Sequence, residues 1–146
     1  MEVPLALLAD YANVSAEGKL NIMGNFDVIN APRFPVVHPQ MHLVFRVEAN
    51  PAEAGSTKKL EIKLMAEDGQ TLLSLEGDLA MARLRGPVPL GEMLRANHII
   101  GLQAVRLEKP GAYQFAILIN GDTKAVVPLK VREAPAPSDQ DRPGGA

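Results

Sequence analysis

The sequence predicts an all-β fold: an antiparallel β-sandwich of immunoglobulin-like Greek-key type with about eight strands. Three observations carry that reading. From residue 40 onward, short segments alternate apolar and polar residues with period 2. Turn residues stand between them, at Asp68-Gly69 and at Asn120-Gly121-Asp122. No stretch shows a convincing helical period.

Taken in order, Leu5 to Asn13 and Lys19 to Ile29 predict a hairpin around Ser15-Ala16-Glu17-Gly18, with Leu20, Ile22, Phe26 and Val28 as the inward row. Asn30 to Pro39 holds Pro32, Pro35 and Pro39 and reads as an extended crossing loop, because proline withholds the N–H that a ladder needs. Gln40 to Ala49 is the next strand, with Met41, Leu43, Phe45, Val47 and Ala49 on one face and His42, Val44, Arg46 and Glu48 on the other. Asn50 to Thr57 is a loop.

Lys58 to Glu67 and Gln70 to Met81 form a hairpin over a two-residue Asp68-Gly69 loop. That loop sets Leu64 opposite Leu73, Ile62 opposite Leu75 and Lys59 opposite Asp78, and it leaves one mild conflict, Glu61 facing Glu76. Leu73, Leu75, Leu79 and Met81 point inward. Leu90 to Ala96, after Pro87 and Pro89, is the one candidate for a helical turn. Asn97 to Leu107 is a strand with Ile99, Leu102, Ala104 and Leu107 available to the core, and Gly101 marks a bulge or a close backbone approach.

The closing strands alternate Tyr113, Phe115, Ile117, Ile119 and then Val127, Leu129, Val131. A three-residue turn with Gly121 near the left-handed region places Phe115 opposite Val127 and Tyr113 opposite Leu129. Pro110-Gly111 just before Tyr113 supplies a corner at which the tyrosine hydroxyl bonds a backbone carbonyl, a mark of Greek-key sandwiches. Residues 1–132 are therefore expected to form one sandwich domain. Residues 133–146, rich in proline and glycine with three acids and one base, are expected to form a disordered tail.

Composition removes whole classes of function. The net charge of -2 and a pI near 5.9 argue against a protein that covers nucleic-acid phosphates. The tail's net charge equals the whole-chain value, so the folded part is neutral and has no overall field to steer a charged ligand. Zero cysteines exclude zinc-thiolate sites, iron–sulfur clusters, thiol nucleophiles and disulfides, and agree with a reducing compartment. The start lacks a basic n-region and Asp10 breaks its apolar run, so a first strand is expected there, not a signal peptide. With no apolar run near the 18 or so residues of a membrane span, the expectation is a cytoplasmic protein with neither a membrane nor a nucleic-acid partner.

Chemistry has little to stand on. There is no nucleophile elbow, phosphate-cradling glycine loop or zincin motif, so no catalytic residue, cofactor site or metal site is expected. His38 and His42 are separated by Pro39 and have no preset metal geometry. Asp10, Asn13, Asn21, Asn25 and Asp27 make an oxygen-rich set of the kind hard cations favour, but turns and outward strand faces use the same residues. Arg83, Arg85, Arg95 and Arg106 against Glu92 alone form the one local charge asymmetry, a candidate surface for carboxylates or phosphates of a partner.

From Leu8-Ala-Asp10-Tyr-Ala-Asn13 through Gly18-Lys-Leu-Asn21-Ile-Met-Gly24-Asn-Phe26-Asp27, then Phe34-Pro35-Val-Val-His38, Pro110-Gly111-Ala-Tyr113 and Asn120-Gly121-Asp122, the chain resembles a bacterial family of small uncharacterised proteins, a domain of unknown function. The resemblance implies a stand-alone cytoplasmic β-domain and brings no catalytic residues with it. The expected function is a non-catalytic binding or assembly module, working on a protein partner or by self-association through exposed sheet edges. A small-ligand or carbohydrate-binding sandwich is the alternative. An assembly module should show an apolar patch or unpaired edge, and a ligand binder a pocket with convergent polar groups.

Overall fold

The computed structural model describes residues 1–135. Among the described residues nine strands make two sheets: β1 Glu2–Val14, β2 Leu20–Phe26, β3 Val28–Ala31, β4 Val36–Ala49, β5 Thr57–Met65, β6 Thr71–Ala80, β7 Leu94–Leu107, β8 Gly111–Ile119 and β9 Asp122–Glu133. One sheet has the order β2-β1-β4-β7 and the other β3-β9-β8-β5-β6. Leu8, Met41, Leu43, Phe45, Ile62, Leu64, Phe115, Ile117 and Leu129 fill the space between them, each almost wholly buried. That is the β-sandwich expected from the alternation, because each sheet can hide one apolar face only against the other.

Both hairpin bodies keep their expected register, and both turns differ. Leu64 pairs Leu73, Ile62 pairs Leu75 and Lys59 pairs Asp78. At the tip, however, the Ala66 amide bonds the Gln70 carbonyl and Gly69 takes φ 88°, so Glu67, Asp68 and Gly69 make a three-residue loop with a bulge beside Met65. In the second hairpin Tyr113 pairs Leu129 and Phe115 pairs Val127. Its loop has two residues, Asn120 at φ 50° and Gly121 at φ 84°, and a bulge between Ile117 and Leu118 restores the register. The Tyr113 hydroxyl donates to the Lys109 carbonyl at 2.6 Å, as the corner motif requires.

Other expectations need correction. The strand expected over Lys19 to Ile29 breaks at Asp27: β2 stays on β1, while β3 crosses to the other sheet and runs parallel to β9, so the sandwich is not wholly antiparallel. Ile29, not Val28, is the buried residue there. Pro39 lies inside β4, and across the ladder Ala104 adopts φ 54°. Side-chain parity flips in both strands at that point, so Val105 is buried and Ala104 exposed. Gly101 marks no bulge; it sits opposite His42, whose ring would lie 3.8 Å from a Cβ at that position. Leu73 and Leu75 are only half-buried because β6 is an edge strand. Glu92 closes a turn onto Pro89 in place of a helical turn, and β7 begins at Leu94. A 3-10 turn at Pro51–Glu53, capped reciprocally by Asn50 and Glu53, had no signal in the alternation. Glu133, expected to open the tail, pairs with Ala31 in β9, and residues 136–146 lie outside the described residues.

Candidate functional site

The two outer faces of the sandwich differ in chemistry, most clearly between the pair β5–β6, which is charged, and the pair β1–β4, which is apolar. On the five-stranded sheet, Lys59, Glu61 and Lys63 of β5 face outward with Glu76 of β6. Lys59 reaches Glu61 at 3.6 Å and Glu76 at 3.8 Å, and Lys63 reaches Glu61 at 3.8 Å. Lys59 thus relieves the Glu61–Glu76 conflict. Such a solvated lattice contributes little to stability and keeps water on that face.

The four-stranded sheet differs. Cross-strand partners share a face, so the pairs Leu5–Arg46, Leu7–Val44 and Ala9–His42 between β1 and β4 define its outer side, continued on β7 by Asn97, Ile99 and Gly101. On β2 the same side carries Asn21, Met23 and Asn25, opposite Asn13, Tyr11 and Ala9. Val44 and Ala9 are fully buried without belonging to the inter-sheet core: Leu7 and Ile99 flank Val44 across the ladder, and Asn25 and His42 flank Ala9. Tyr11 and Met23, 46% and 66% exposed, complete an apolar band that water still touches.

Polar groups bound that band at its two ends. His42 donates Nδ1–H to the Asp10 carbonyl at 3.0 Å and meets the Tyr11 ring edge to face at 5.4 Å, which fixes both rings. Beyond them the Asn21 side-chain amide donates to the Asn13 Oδ1 at 2.9 Å. At the far end Arg46 donates to the Asn97 side-chain oxygen at 2.9 Å, and Arg95 to Glu48 at 2.8 Å. One end is therefore amide and the other charged.

Of the residues singled out from sequence, Asn13, Asn21, Asn25 and Arg95 share this face, the asparagines on β1 and β2 and Arg95 at the far end on β7. Asp10 is on the opposite parity, its carboxylate lying against Gly24, which adopts φ 70° and has no room for a Cβ. Asp27 occupies the crossover between β2 and β3, where its carbonyl accepts from Lys130. Arg83 and Arg85 lie in the segment between β6 and β7, and Arg106 is at the far end of β7 in an ion pair with Glu108, so the four arginines form no common surface. Among the described residues no three His, Asp or Glu side chains stand close enough to hold a metal ion.

Sequence reasoning passed over Leu5, Leu7, Tyr11, Met23 and Val44 as site residues and gave Ile99 to the inter-sheet core, whereas it lies on the outer side opposite Val44. A signal existed: Leu5-Ala-Leu-Leu-Ala9 is apolar at both parities, the pattern of a strand covered on two sides. A second feature is a cleft of about 310 Å³ on the open side of the sandwich, between the free edges of β6 and β7. Leu64, Leu102 and Val105 lie buried along it and Leu72, Leu73 and Leu75 stand half-buried, with Gln103 and Arg106 as its polar side chains.

With the geometry in place, comparison with known proteins adds one identification. A family of unknown function, DUF6941, matches residues 4–132, nearly all of the described chain. The chain belongs to that family. The match takes in every strand of both sheets, so the apolar outer face lies wholly within the DUF6941 region. No curated protein matches. Among solved structures, a Pseudomonas fluorescens alkylpurine DNA glycosylase, AlkC, bound to DNA containing an abasic site analog, is similar at 16% identity and a TM-score of 0.37. That match covers 73% of this DUF6941 chain and 27% of the glycosylase chain, so it bears on no functional argument. No helix among the described residues is long and apolar enough to cross a membrane.

Proposed function

We propose that this DUF6941 chain is a non-catalytic protein-binding module of the bacterial cytoplasm, and that it docks its partner on the outer face of the four-stranded sheet. The single observation behind this reading is the asymmetry between the two outer faces. One carries Leu5, Leu7, Tyr11, Met23, Val44 and Ile99 side by side, and the other an ion-paired Lys/Glu lattice over β5 and β6 beside Ala116, Leu118 and Val126 of β8 and β9. Val44 is shielded by its own neighbours, but Tyr11 and Met23 in the same band stay 46% and 66% exposed, apolar surface that a partner would cover. Tyr, Met and Arg, here Tyr11, Met23 and Arg46, are the residue types that interfaces favour. The strand order, with β3 parallel to the last strand and a tyrosine corner opening β8, supports an immunoglobulin-like assignment. The absent cysteines agree with a reducing compartment.

The test is a photo-crosslinking amino acid placed at Met23 or, as control, at Lys63, in the full chain in cells. Adducts with protein from position 23 and none from 63 are expected; equal yields from both, or none from 23, overturn the reading. The β6–β7 cleft favours a second reading, a small apolar ligand, since its 310 Å³ is at the lower end of ligand pockets, which run from about 300 Å³ upward. A rise in melting temperature with an apolar probe such as decanoate, lost in Leu75→Lys, would support it.

A further inference from the structure

We infer that the free edge of β7 takes up one extended strand from another polypeptide, which adds a fifth strand to the four-stranded sheet and covers the half-buried leucines of β6. This goes beyond the docking face on the outside of that sheet and does not rest on it.

The two sheets are unequal, and the imbalance has a location. β2 and β3 follow one another through Asp27 and so lie on the same side of the sandwich, and β1 packs on β9. Counting across from there, β4 lies over β8, β7 over β5, and β6 over no strand among the described residues. Burial agrees. Ile62 and Leu64 of β5 are each 1% exposed, yet their ladder partners Leu75 and Leu73, on the same inner face, are only half-buried. The cleft of about 310 Å³ lies at that place. A strand added to β7 at the usual spacing of about 4.8 Å stands opposite β6 and turns alternate side chains onto Leu73 and Leu75.

β7 is also the least protected edge. Its backbone pairs with β4 alone, and among the described residues no backbone group from elsewhere reaches Leu94–Leu107, so alternate N–H and C=O groups along it are unpaired. Of the other edges, β3 has 4 residues, β2 has 7 and is interrupted by Gly24 at φ 70°, and β6 carries Glu76-Gly77-Asp78. Between Ala96 and Gln103, β7 has no proline, lysine, arginine or acid.

The occupant follows from these groups. A row of unpaired amides and carbonyls is met in series only by another extended backbone, and the leucines of β6 require apolar residues at every second position of it. Gly77 adds a detail: it shares the inner face with Leu60 and no atom lies within 4 Å of where its Cβ would stand, so one inward position has room for a large side chain. The chain's own end is not that strand, since residues 136–146 include Pro137 and Pro143 and no branched aliphatic or aromatic residue. Nor is the β7 of a second copy. Two-fold symmetry would set that copy's β6 against this chain's β7, where β5 already lies.

The test uses the full chain and a synthetic peptide of about ten residues, the length of a long strand, with valine alternating with threonine between terminal lysines. Amide hydrogen exchange is followed by NMR. Alternate amides between Ala96 and Gln103 are expected to exchange freely in the chain alone and to slow several-fold with excess peptide. Since the chain has no native cysteine, Leu75→Cys places a single thiol in the cleft; its alkylation is expected to slow likewise, while that of Val126→Cys keeps its rate. Methylating one alternate set of the peptide's backbone amides is expected to abolish both effects, and methylating the other set to leave them. Edge amides already slow in the chain alone, no slowing with the peptide, or slowing that survives both methylations overturns the inference. If decanoate protects Leu75→Cys and the peptide does not, the cleft holds a small ligand and the inference is likewise wrong. Crosslinking from position 23 is independent of these results, so the outer docking face stands or falls separately.

Discussion

The outer faces of the two sheets obey the same period-2 alternation yet reach opposite results. On the five-stranded sheet the outward positions of β5 and β6 carry Lys59, Glu61, Lys63 and Glu76, whose ion pairs join the exposed Lys59 and Glu76 to a mostly covered Glu61. On the four-stranded sheet the outward positions of β1, β4 and β7 carry Leu7, Val44 and Ile99, and Val44 has no exposed surface at all. Strand pairing accounts for both equally well, so pairing alone cannot explain the difference. What distinguishes them is what each face meets: water on one side, and apolar side chains, its own and in the proposed complex a partner's, on the other.

The largest effect that can break this contrast comes from Val44→Asp. It buries a charge with no partner in the centre of the apolar band, and a loss of roughly 3 kcal/mol or more is expected in denaturant unfolding. If Val44→Asp unfolds like the wild type, the band is not packed as described. A smaller effect concerns the inner side of the same strands, where His98 stacks on Phe45 at 5.2 Å and its Nε2 is buried without a hydrogen-bond partner. Burial holds the His98 imidazole below its ordinary value of 6.5. As pH falls through 6.5 the unfolded chain takes up the proton first, so stability present above that pH is lost below it. His98→Phe should flatten that part of the stability–pH curve, measured as the urea midpoint against pH, and an unchanged curve would show that His98 is not responsible.

Ala104→Gly tests where the apolar face ends, since Ala104 at φ 54° marks the parity flip of β7. Relief of that backbone conformation should stabilise the domain by about 0.5–1 kcal/mol, partly offset by the freer unfolded chain. Smallest of all is Lys63→Gln, which removes a single half-exposed ion pair to Glu61 outside the five-stranded sheet and leaves Lys59 between Glu61 and Glu76. A change within about 0.5 kcal/mol is expected in melting experiments. A larger loss would mean that the charged lattice is structural and the contrast between faces overstated.

Much of this fold was readable from residue order because turn and strand signals overdetermine one another. Leu64–Leu73 and Phe115–Val127 pair as the alternation requires, although the Asp68-Gly69 loop is one residue longer than read and the Asn120-Gly121 loop one shorter. A bulge in each hairpin absorbs the difference, and apolar burial fixes the faces regardless of the tip. The break at Asp27 was not readable. Its cause is non-local: β3 gains a parallel ladder on β9, about a hundred residues away in sequence. Nor was the apolar face assembled from the Asn and Arg residues chosen at first, because that choice followed charge and turn chemistry and passed over the apolar residues of β1. Asn13, Asn21, Asn25 and Arg95 do border the face, but what they border is apolar.

The most direct measurement uses the absence of native cysteine. Met23→Cys and Val126→Cys each place a single thiol on one outer face, at positions 66% and 48% exposed. Alkylation of the thiol at position 23 should slow several-fold in cell extract relative to the purified chain, while that at position 126 keeps its rate. Equal rates at position 23 with and without extract, or slowing at position 126 alone, would contradict the assignment of the four-stranded sheet as the face that docks.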